Sequence, residues 1–249
     1  MSSEGEQSRE PHDLLLSSGF LAFARHAGVL AAIESDGPPI DAVVGTSSGA
    51  LVGALWASGM PAGDIALLLA ERAPTAYLGL HWAPWRGAFS LAPLAAWLRS
   101  RLPGRIEDLP RPFAAGVVGP GRQPQLLTSG DLVSAVVASC AIPYLFRPVD
   151  REGGAYSDGG VADRLMVAPW RAWRGDRPAV VHVVDRVAGR DSDASLEPYL
   201  VVRTPRSGAS FFSLGDIAAS AELARQSAVA VMRRGLATER SGARPNRDG

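Results

Sequence analysis

The chain has 249 residues, 47% of them hydrophobic, which fits one globular α/β domain and excludes a disordered chain. Its 25 basic and 25 acidic side chains leave a formal net charge of zero, so nothing indicates nucleic-acid binding, and the lack of lysine excludes lysine-based chemistry. A single cysteine, Cys140, excludes internal disulfides and cysteine-built metal clusters.

The first part of the chain alternates predicted strands and helices. Residues 1–12 are polar, lack a signal-peptide pattern and predict a disordered lead-in to a cytoplasmic protein. Residues 14–16 predict a strand, residues 21–35 a helix, and residues 40–44 a second strand, followed by a helix to about Ser58. This order predicts a mainly parallel sheet that helices cover on both faces.

The second strand runs directly into Gly45-Thr46-Ser47-Ser48-Gly49, a Gly-x-Ser-x-Gly sequence. A strand, this turn and a helix in that order make a nucleophile elbow, in which the glycines relieve crowding and the serine hydroxyl is exposed. The helix N-terminus beside the serine favours developing negative charge. Ser47 is therefore the candidate nucleophile, with Gly45 and Gly49 as the glycines of the turn.

The same segment allows a membrane-spanning alternative. No charged residue lies between Asp41 and Asp64, and Gly49 and Gly53 form a small-x-x-x-small pair. The glycines and Pro61 fit a continuous membrane helix poorly and fit a turn followed by a close-packed helix well. We therefore favour the elbow.

The remaining elements predict one domain over residues 13–237, without an internal repeat. Residues 75–90 are aromatic and include Trp82 and Trp85, so they predict either a lid or membrane-facing rim, or a loop packed on the domain. The arginine-rich tail from residue 238 predicts disorder. The other predicted helices are residues 61–73, 91–102, 130–139 and 216–236, and the other extended segments are residues 113–118, 125–128, 145–149 and 180–184.

A second candidate for chemistry is Tyr156-Ser157-Asp158-Gly159-Gly160, although an Asp-Gly pair alone is a routine turn. Four blocks carry a resemblance to a known family: residues 16–30, the Gly-x-Ser-x-Gly turn, ASCAIPYLFRPV (138–149) and YSDGGVADRLMV (156–167). With these blocks the chain resembles the patatin-like phospholipases, a family of serine acyl hydrolases, whose S-x-A-I-P sequence is contained in the third block. The four blocks stand in the family's order and cover residues 13–167.

The resemblance implies a patatin-like three-layer α/β sandwich, and a catalytic pair of Ser47 and Asp158 that needs no histidine, metal or cofactor. Gly159 and Gly160 complete the Asp158 turn. In an apolar pocket the ionised aspartate is disfavoured, so it can take the proton of Ser47 during attack on an ester carbonyl. Water then hydrolyses the acyl-enzyme. The expected substrate is a lipid acyl ester of phospholipid or lysophospholipid class, and peripheral membrane contact stays open.

The glycine-rich oxyanion loop departs from the family pattern. That pattern, roughly G-G-G-x-[RK]-G, aligns with residues 18–23, where only Gly19 is kept and Ala22 replaces a cation. Backbone N–H groups stabilise an oxyanion, so other side chains need not abolish the loop, but Phe20 adopts a positive φ with difficulty. The expected donors are the N–H groups of Ser18, Gly19, Phe20 and Ser48.

The Asp158 block departs as well, since Arg164 and Met166 stand where the family commonly has asparagine and proline. These departures leave open a patatin-like protein that binds acyl chains or a partner without turnover. A Ser-His-Asp triad is the chemical rival, and it requires a histidine late in the chain. His182 is the candidate, but we expect it to be structural because it lies within the predicted strand 180–184.

We expect the other histidines near these motifs, His26 and His81, to be structural too. Metal-ligand spacing is absent from the sequence, and Asp191 and Asp193 predict a solvated surface loop. A Walker-type glycine loop is also absent, which argues against nucleotide binding.

Overall fold

The computed structural model describes residues 10–80, 88–185 and 196–242, so His81, Trp82, Trp85, Asp191 and Asp193 lie outside the described residues. The strands within those ranges are β1 (His12–Leu16), β2 (Ile40–Thr46), β3 (Gly79–Leu80), β4 (Phe89–Ser90), β5 (Phe113–Val118), β6 (Pro124–Leu127), β7 (Val149–Arg151), β8 (Gly154–Asp158), β9 (Ala179–Val184) and β10 (Leu200–Thr204). The helices are α1 (Phe23–Asp36), α2 (Ser48–Ala57), α3 (Ala62–Ala70), α4 (Ala92–Arg99), α5 (Leu132–Ser139), α6 (Val167–Arg174) and α7 (Ile217–Gly242).

Eight strands form one sheet in the order β10-β9-β1-β2-β5-β8-β7, with β6 also paired to β5. The five strands from β10 to β5 run parallel, whereas β6, β7 and β8 form antiparallel pairs. Parallel strands place their carboxyl ends at one edge of a sheet, where ligands bind in open α/β folds. Because β1 and β2 are neighbours, the loop after Leu16 and the turn after Thr46 lie side by side at that edge.

Alternate residues of β1 pack into two separate hydrophobic cores on the two faces of the sheet. Leu14 and Leu16 belong to the larger core, which includes residues of α1 to α5 and of α7. Leu15 belongs to the smaller core, together with Trp170 of α6. Helices therefore cover both faces of the sheet, and the predicted three-layer α/β fold with a mainly parallel sheet is confirmed.

The helix after the elbow is buried in the protein rather than in a bilayer. α2 has 10 residues, and every one of them is buried against the rest of the domain. Across the described parts of the chain, no helix combines the length and the apolar character that a bilayer span requires. The membrane-spanning alternative for this segment is therefore wrong.

Five of these elements lie outside the sequence prediction, namely α6, β8, β10 and the two-residue strands β3 and β4. Only Trp170 of α6 is buried, with Val167 and Trp173 packed against the same core, and a hydrogen bond from Trp170 Nε1 to the Asp13 carboxylate at 2.9 Å also holds the helix. β8 begins at Gly154, which follows Gly153, and both glycines have positive φ and resemble a loop in sequence. β10 is a short edge strand of only five residues.

Both predicted tails differ from the structure at their inner ends. The strand β1 begins at His12, which the sequence placed in the disordered lead-in. The helix α7 continues to Gly242, five residues past the predicted end of the domain. The extended segment predicted at 145–149 is a strand only from Val149 onward.

Candidate functional site

Ser47 lies between β2 and α2 with φ 55° and ψ −119°, a backbone conformation that side-chain-bearing residues rarely adopt. Close packing explains the two glycines of the turn. A Cβ on Gly45 would collide with the backbone of Gly49, and a Cβ on Gly49 would collide with the carbonyl oxygen of Leu16. The sharp turn therefore places Ser47 at the N-terminus of α2, as the Gly-x-Ser-x-Gly sequence predicts.

A buried serine outside the predicted site holds this turn. The N–H of Ser47 donates to Ser139 Oγ at 2.9 Å, and the Ser139 hydroxyl donates to the carbonyl oxygen of Gly116 at 2.6 Å. Ser139 ends α5 and is fully buried, and Gly116 lies on β5. The signal was present in the sequence, because Ser139 is the serine of the S-x-A-I-P block. Its hydroxyl connects the elbow to the sheet.

Asp158 is the last residue of β8 and is buried. Its N–H donates to the carbonyl oxygen of Ala141 at 2.9 Å, and its Oδ1 accepts from the N–H of Gly160 at 2.7 Å. The Asp-Gly-Gly turn thus orients its own carboxylate. A Cβ on Gly160 would collide with the side chain of Ser18, so this turn and the loop after β1 are in direct contact.

Two cavities meet at Ser47. The larger, of about 540 Å³, is bounded by both Ser47 and Asp158 and also by charged side chains, namely Arg164, Asp185 and Arg206. The smaller, of about 120 Å³, has mainly apolar walls, to which α1, α2, α4 and the segment after α5 contribute Phe23, Leu51, Leu94, Ile142 and Phe146. Ser47 therefore borders a space with charged side chains in its walls on one side and an apolar space on the other.

One of the four N–H groups expected to bind the oxyanion, that of Ser18 in the loop after β1, is bonded within the protein. The N–H of Ser18 donates to the carbonyl oxygen of Arg164 at 3.1 Å, so it already has an acceptor. Gly19 and Phe20 line both cavities, and Ser48 begins α2, where first-turn N–H groups have no acceptor within the helix. The positive φ of this loop falls on Leu21, at 48°, rather than on Phe20.

Arg164 holds this loop with its side chain as well. Its Nη2 donates to the carbonyl oxygens of Ser18, at 2.8 Å, and of Val184, while its Nε donates to Ser18 Oγ at 3.3 Å. Arg164 is buried although it lines the larger cavity. The residue that departs from the family pattern therefore connects the Asp158 turn to the loop after β1 and to the end of β9.

His26 and His182 form a buried chain behind the elbow. His26 Nε2 lies 3.2 Å from Ser48 Oγ, the two Nδ1 atoms are 2.8 Å apart, and His182 Nε2 lies 2.9 Å from Thr204 Oγ1. Burial lowers the pKa of His26 to about 3 and that of His182 well below its usual value, so both rings are neutral. Both nitrogens of His182 face partners other than Ser47, which excludes His182 as the histidine of a Ser-His-Asp triad.

Cys140 lies behind the nucleophile and lines the smaller cavity, with its thiol 3.4 Å from the carbonyl oxygen of Ser47. Burial, and next the negative charge of Asp158, raise the pKa of this thiol, so it is protonated at neutral pH. Among the described residues, no group of three or more His, Cys, Asp or Glu side chains could hold a metal ion.

Comparison with known proteins gives sequence relatives for most of the chain. The family model described as patatin-like phospholipase matches residues 14–169, more than half of the chain. An uncharacterized NTE family protein of Mycobacterium tuberculosis is 29% identical over 231 residues, covering 84% of this chain and 59% of that protein. Lysophospholipase NTE1 of Pyricularia oryzae is 30% identical over 192 residues, covering 72% of this chain and 12% of that protein. The chain thus spans only part of each relative.

A solved structure with the same fold is VipD from Legionella pneumophila. It superimposes with a TM-score of 0.61 at 13% sequence identity, over 95% of this chain and 69% of that one. At that identity the likeness concerns the fold alone.

Proposed function

The chain belongs to the patatin-like phospholipase family, and on that premise we propose that it hydrolyses lipid acyl esters through an acyl-enzyme on Ser47, with Asp158 as general base. The observation that carries the proposal is the shared cavity of these two side chains. The loop contact between Gly160 and Ser18 supports it further, because it ties the turn that orients the carboxylate to the loop beside the nucleophile. The family and its lysophospholipase relatives support a lipid hydrolase in general.

In the first half of the reaction, Ser47 Oγ bonds to the carbonyl carbon of the ester while its proton passes to the Asp158 carboxylate. Collapse of the tetrahedral intermediate breaks the bond to the leaving alcohol, and Asp158 returns the proton to that oxygen. In the second half, Asp158 takes a proton from water as the water oxygen attacks the acyl carbon. The acid is released, and Ser47 recovers its proton from Asp158.

The oxyanion of each tetrahedral intermediate would be bound by the N–H groups of Gly19, Phe20 and Ser48. Gly19 and Phe20 border the space next to Ser47, and Ser48 adds the N-terminal end of the α2 dipole. The N–H of Ser18 is omitted, since it already bonds to Arg164. The hole therefore relies on three donors rather than four, and only one of them belongs to a glycine.

The two cavities differ in a way that suits the two parts of a lipid ester. The acyl chain would enter the apolar cavity that Leu51 and Phe146 line, where hydrocarbon is removed from water. The alcohol part of the ester would then lie in the larger cavity, beside the exposed Arg206, whose guanidinium suits phosphate oxygens. A phospholipid or lysophospholipid has both parts, so we favour these classes over a simple short-chain ester.

Labelling with a long-chain fluorophosphonate, read as intact mass, tests the proposal. We expect one adduct on the wild type, none on Ser47→Ala, and labelling slowed about 100-fold or more in Asp158→Asn. Asp185→Asn is the matched control, because this carboxylate lines the same cavity, and it should label within about twofold of the wild type. Circular dichroism and thermal unfolding would verify that each variant is folded.

Two outcomes would contradict the proposal. An adduct that persists in Ser47→Ala would assign the reactive serine elsewhere. A folded wild type that forms no adduct, with or without detergent, would favour a patatin-like protein that binds acyl chains without turnover. Equal effects of the Asp158 and Asp185 variants would remove the specific role of Asp158.

A further inference from the structure

Exposed apolar side chains are concentrated around the two cavities. Phe20 and Val161 are exposed and line the larger cavity. Tyr144 follows two residues after Ile142, which lines both cavities, and Phe212 follows Phe211, which lines the smaller one. The ring of Phe211 lies edge-on to that of Phe20, with centroids 5.0 Å apart. We call Phe20, Tyr144, Val161 and Phe212 the mouth patch.

The mouth patch contains most of the large hydrophobic side chains that are exposed on the described surface. Six such side chains are exposed among the described residues, and the two outside the mouth patch are Leu67 on α3 and Leu223 on α7. The four members of the mouth patch lie in four different loops, after β1, α5, β8 and β10. Separate parts of the chain thus contribute exposed apolar groups that either line the cavities or follow within two residues of a lining residue, which indicates an interaction surface.

Tyr144 is the most informative member of the mouth patch. Its side chain is 93% exposed, and its backbone is in the left-handed region with φ 69°. Such a conformation is unfavourable for a bulky residue, and a side chain this exposed gains almost no packing in return. Phe212 is 85% exposed and likewise gains little packing within the domain. We therefore expect these aromatic rings to be stabilised by contact with a binding partner rather than by packing within this protein.

We propose that the mouth patch docks this protein on the surface of a phospholipid bilayer. Aromatic rings with one polar end, such as that of Tyr144, favour the boundary between headgroups and acyl chains. Two exposed cations, Arg206 at the larger cavity and Arg72 at the smaller one, are placed to meet lipid phosphates. An acyl chain could then pass from the bilayer into the apolar cavity without crossing water.

We expect the mouth patch to bind at the bilayer surface without inserting deeply. Its four apolar side chains and the two arginines would bind as peripheral proteins do, through the combined effect of apolar burial and attraction to anionic lipids. Docking should therefore be reversible, stronger on anionic vesicles and weakened by salt. The substrate route rests on the proposed function, but docking itself does not and can be measured without turnover.

The test compares two double variants of the full chain by sedimentation with vesicles. Tyr144→Asn/Phe212→Ser removes two members of the mouth patch that line neither cavity, and asparagine tolerates the positive φ. Leu67→Ser/Leu223→Ser removes the two exposed leucines elsewhere. On vesicles of phosphatidylcholine with phosphatidylglycerol, we expect partitioning to fall about tenfold or more in the first variant and less than about twofold in the second.

The variant Arg206→Gln tests the contribution of positive charge to vesicle binding. We expect this variant to bind more weakly to vesicles that contain phosphatidylglycerol and to bind nearly unchanged to vesicles of pure phosphatidylcholine. No partitioning of the wild type, or equal losses in the two double variants, would overturn the proposal. A concentration-dependent dimer that the first double variant abolishes, without vesicle binding, would assign the mouth patch to a second copy of the chain instead.

Hydrolysis of a short-chain, water-soluble ester separates docking from chemistry. The first double variant should hydrolyse this ester at the wild-type rate and lose activity only on vesicles. If the wild type binds vesicles through the mouth patch but neither hydrolyses esters nor reacts with fluorophosphonate, the hydrolase proposal fails and docking stands. Loss of soluble-ester activity in the folded double variant would instead place these residues within the site and overturn their role as a docking surface.

Discussion

Arg164 and Ser18 are joined by hydrogen bonds in both directions. The side-chain Nη2 of Arg164 donates to the Ser18 carbonyl oxygen at 2.8 Å, and the Ser18 N–H donates to the Arg164 carbonyl oxygen at 3.1 Å. Two departures from the family pattern, Ala22 and Arg164, therefore concern the same loop. Ala22 removes the cation that the family commonly has in the loop after β1, and the buried cation of Arg164 reaches this loop from another part of the chain. This contact compensates in part for the missing glycines, since it fixes a loop that glycines would otherwise shape.

Arg164→Met should lower kcat for ester hydrolysis about 10- to 100-fold with a smaller change in KM. Hydrogen bonds from a charged group contribute about 1.5–3 kcal/mol, and loss of this one frees the loop that carries Gly19 and Phe20. Arg164→Lys keeps the charge and should be intermediate. Steady-state kinetics on a soluble ester would measure both variants, with thermal unfolding as the control. Wild-type kinetics in folded Arg164→Met would show that the loop holds its shape without this side chain.

Ser139→Ala should destabilise the protein and impair the elbow together. The substitution leaves the N–H of Ser47 and the carbonyl oxygen of Gly116 without their present partner. Each unsatisfied buried group costs about 1–3 kcal/mol, so we expect the free energy of unfolding to fall by about 2–6 kcal/mol. Urea unfolding would measure this loss, and fluorophosphonate labelling should slow in parallel.

Ser134→Ala supplies the control for that experiment, because Ser134 lies on the same helix and bonds to Asp131 through its backbone N–H, which the substitution keeps. It should change the free energy of unfolding by less than about 0.5 kcal/mol. Similar effects of the two alanine variants would mean that the Ser139 hydroxyl is not what holds the elbow.

Acid should destabilise the fold through the two buried histidines. The pKa of His26 is lowered from 6.5 to about 3, and that of His182 is lowered too, so below pH 6.5 the unfolded chain binds protons that the folded chain rejects. The free energy of unfolding should therefore fall as the pH decreases from about 6.5, by up to about 1.4 kcal/mol per pH unit for each histidine. Urea unfolding between pH 7 and about 5, above most carboxylate pKa values, would measure the slope.

His26→Gln/His182→Gln should flatten that slope while lowering stability at neutral pH. If this variant does not fold, the imidazole nitrogen chemical shifts of the wild type provide the same information. Rings that stay neutral at pH 5 support the linkage, whereas rings that titrate near their ordinary pKa in the folded protein would contradict it.

Glycine-to-alanine substitutions should have opposite effects at two positions. Gly49→Ala places a Cβ against the Leu16 carbonyl oxygen, so it should lower the free energy of unfolding by about 1–3 kcal/mol and abolish labelling of Ser47. Gly63 lies in α3, where an added Cβ meets nothing within 4 Å. Gly63→Ala should therefore raise the free energy of unfolding by about 0.5 kcal/mol. Thermal unfolding compares the two, and a stable, labelled Gly49→Ala would contradict the close packing.

The sequence predicted those parts of the fold whose signals are local. The apolar run of β5 was predicted with its observed bounds, Phe113–Val118, and the glycines around Ser47 predicted the strand–turn–helix arrangement. α6 escaped prediction because it is only eight residues long and has a proline at its third position, so the apolar spacing of Val167, Trp170 and Trp173 was not recognised. The hydrogen bond of Trp170 to Asp13, a residue 157 positions away, also does not follow from the local sequence.

The contacts that shape the candidate site are equally distant in sequence. His26 and His182 are 156 positions apart, and Arg164 and Ser18 are 146 apart, so neither pair follows from spacing. Ser139 is the intermediate case. Its block was recognised as a motif, but only the three-dimensional path of α5 past β5 shows that its hydroxyl supports the backbone of Ser47.

Because Cys140 is the only cysteine of the chain and borders the apolar cavity, its thiol is a native reporter of whether that cavity is filled. A small neutral alkylating reagent must enter the same space that an acyl chain would occupy. The raised thiol pKa keeps the background reaction slow, so protection by a bound fatty acid or lysolipid can be followed over a long time course. Ligands can thus be ranked by protection of this thiol in the Ser47→Ala protein, which is expected to be inactive, without an engineered label.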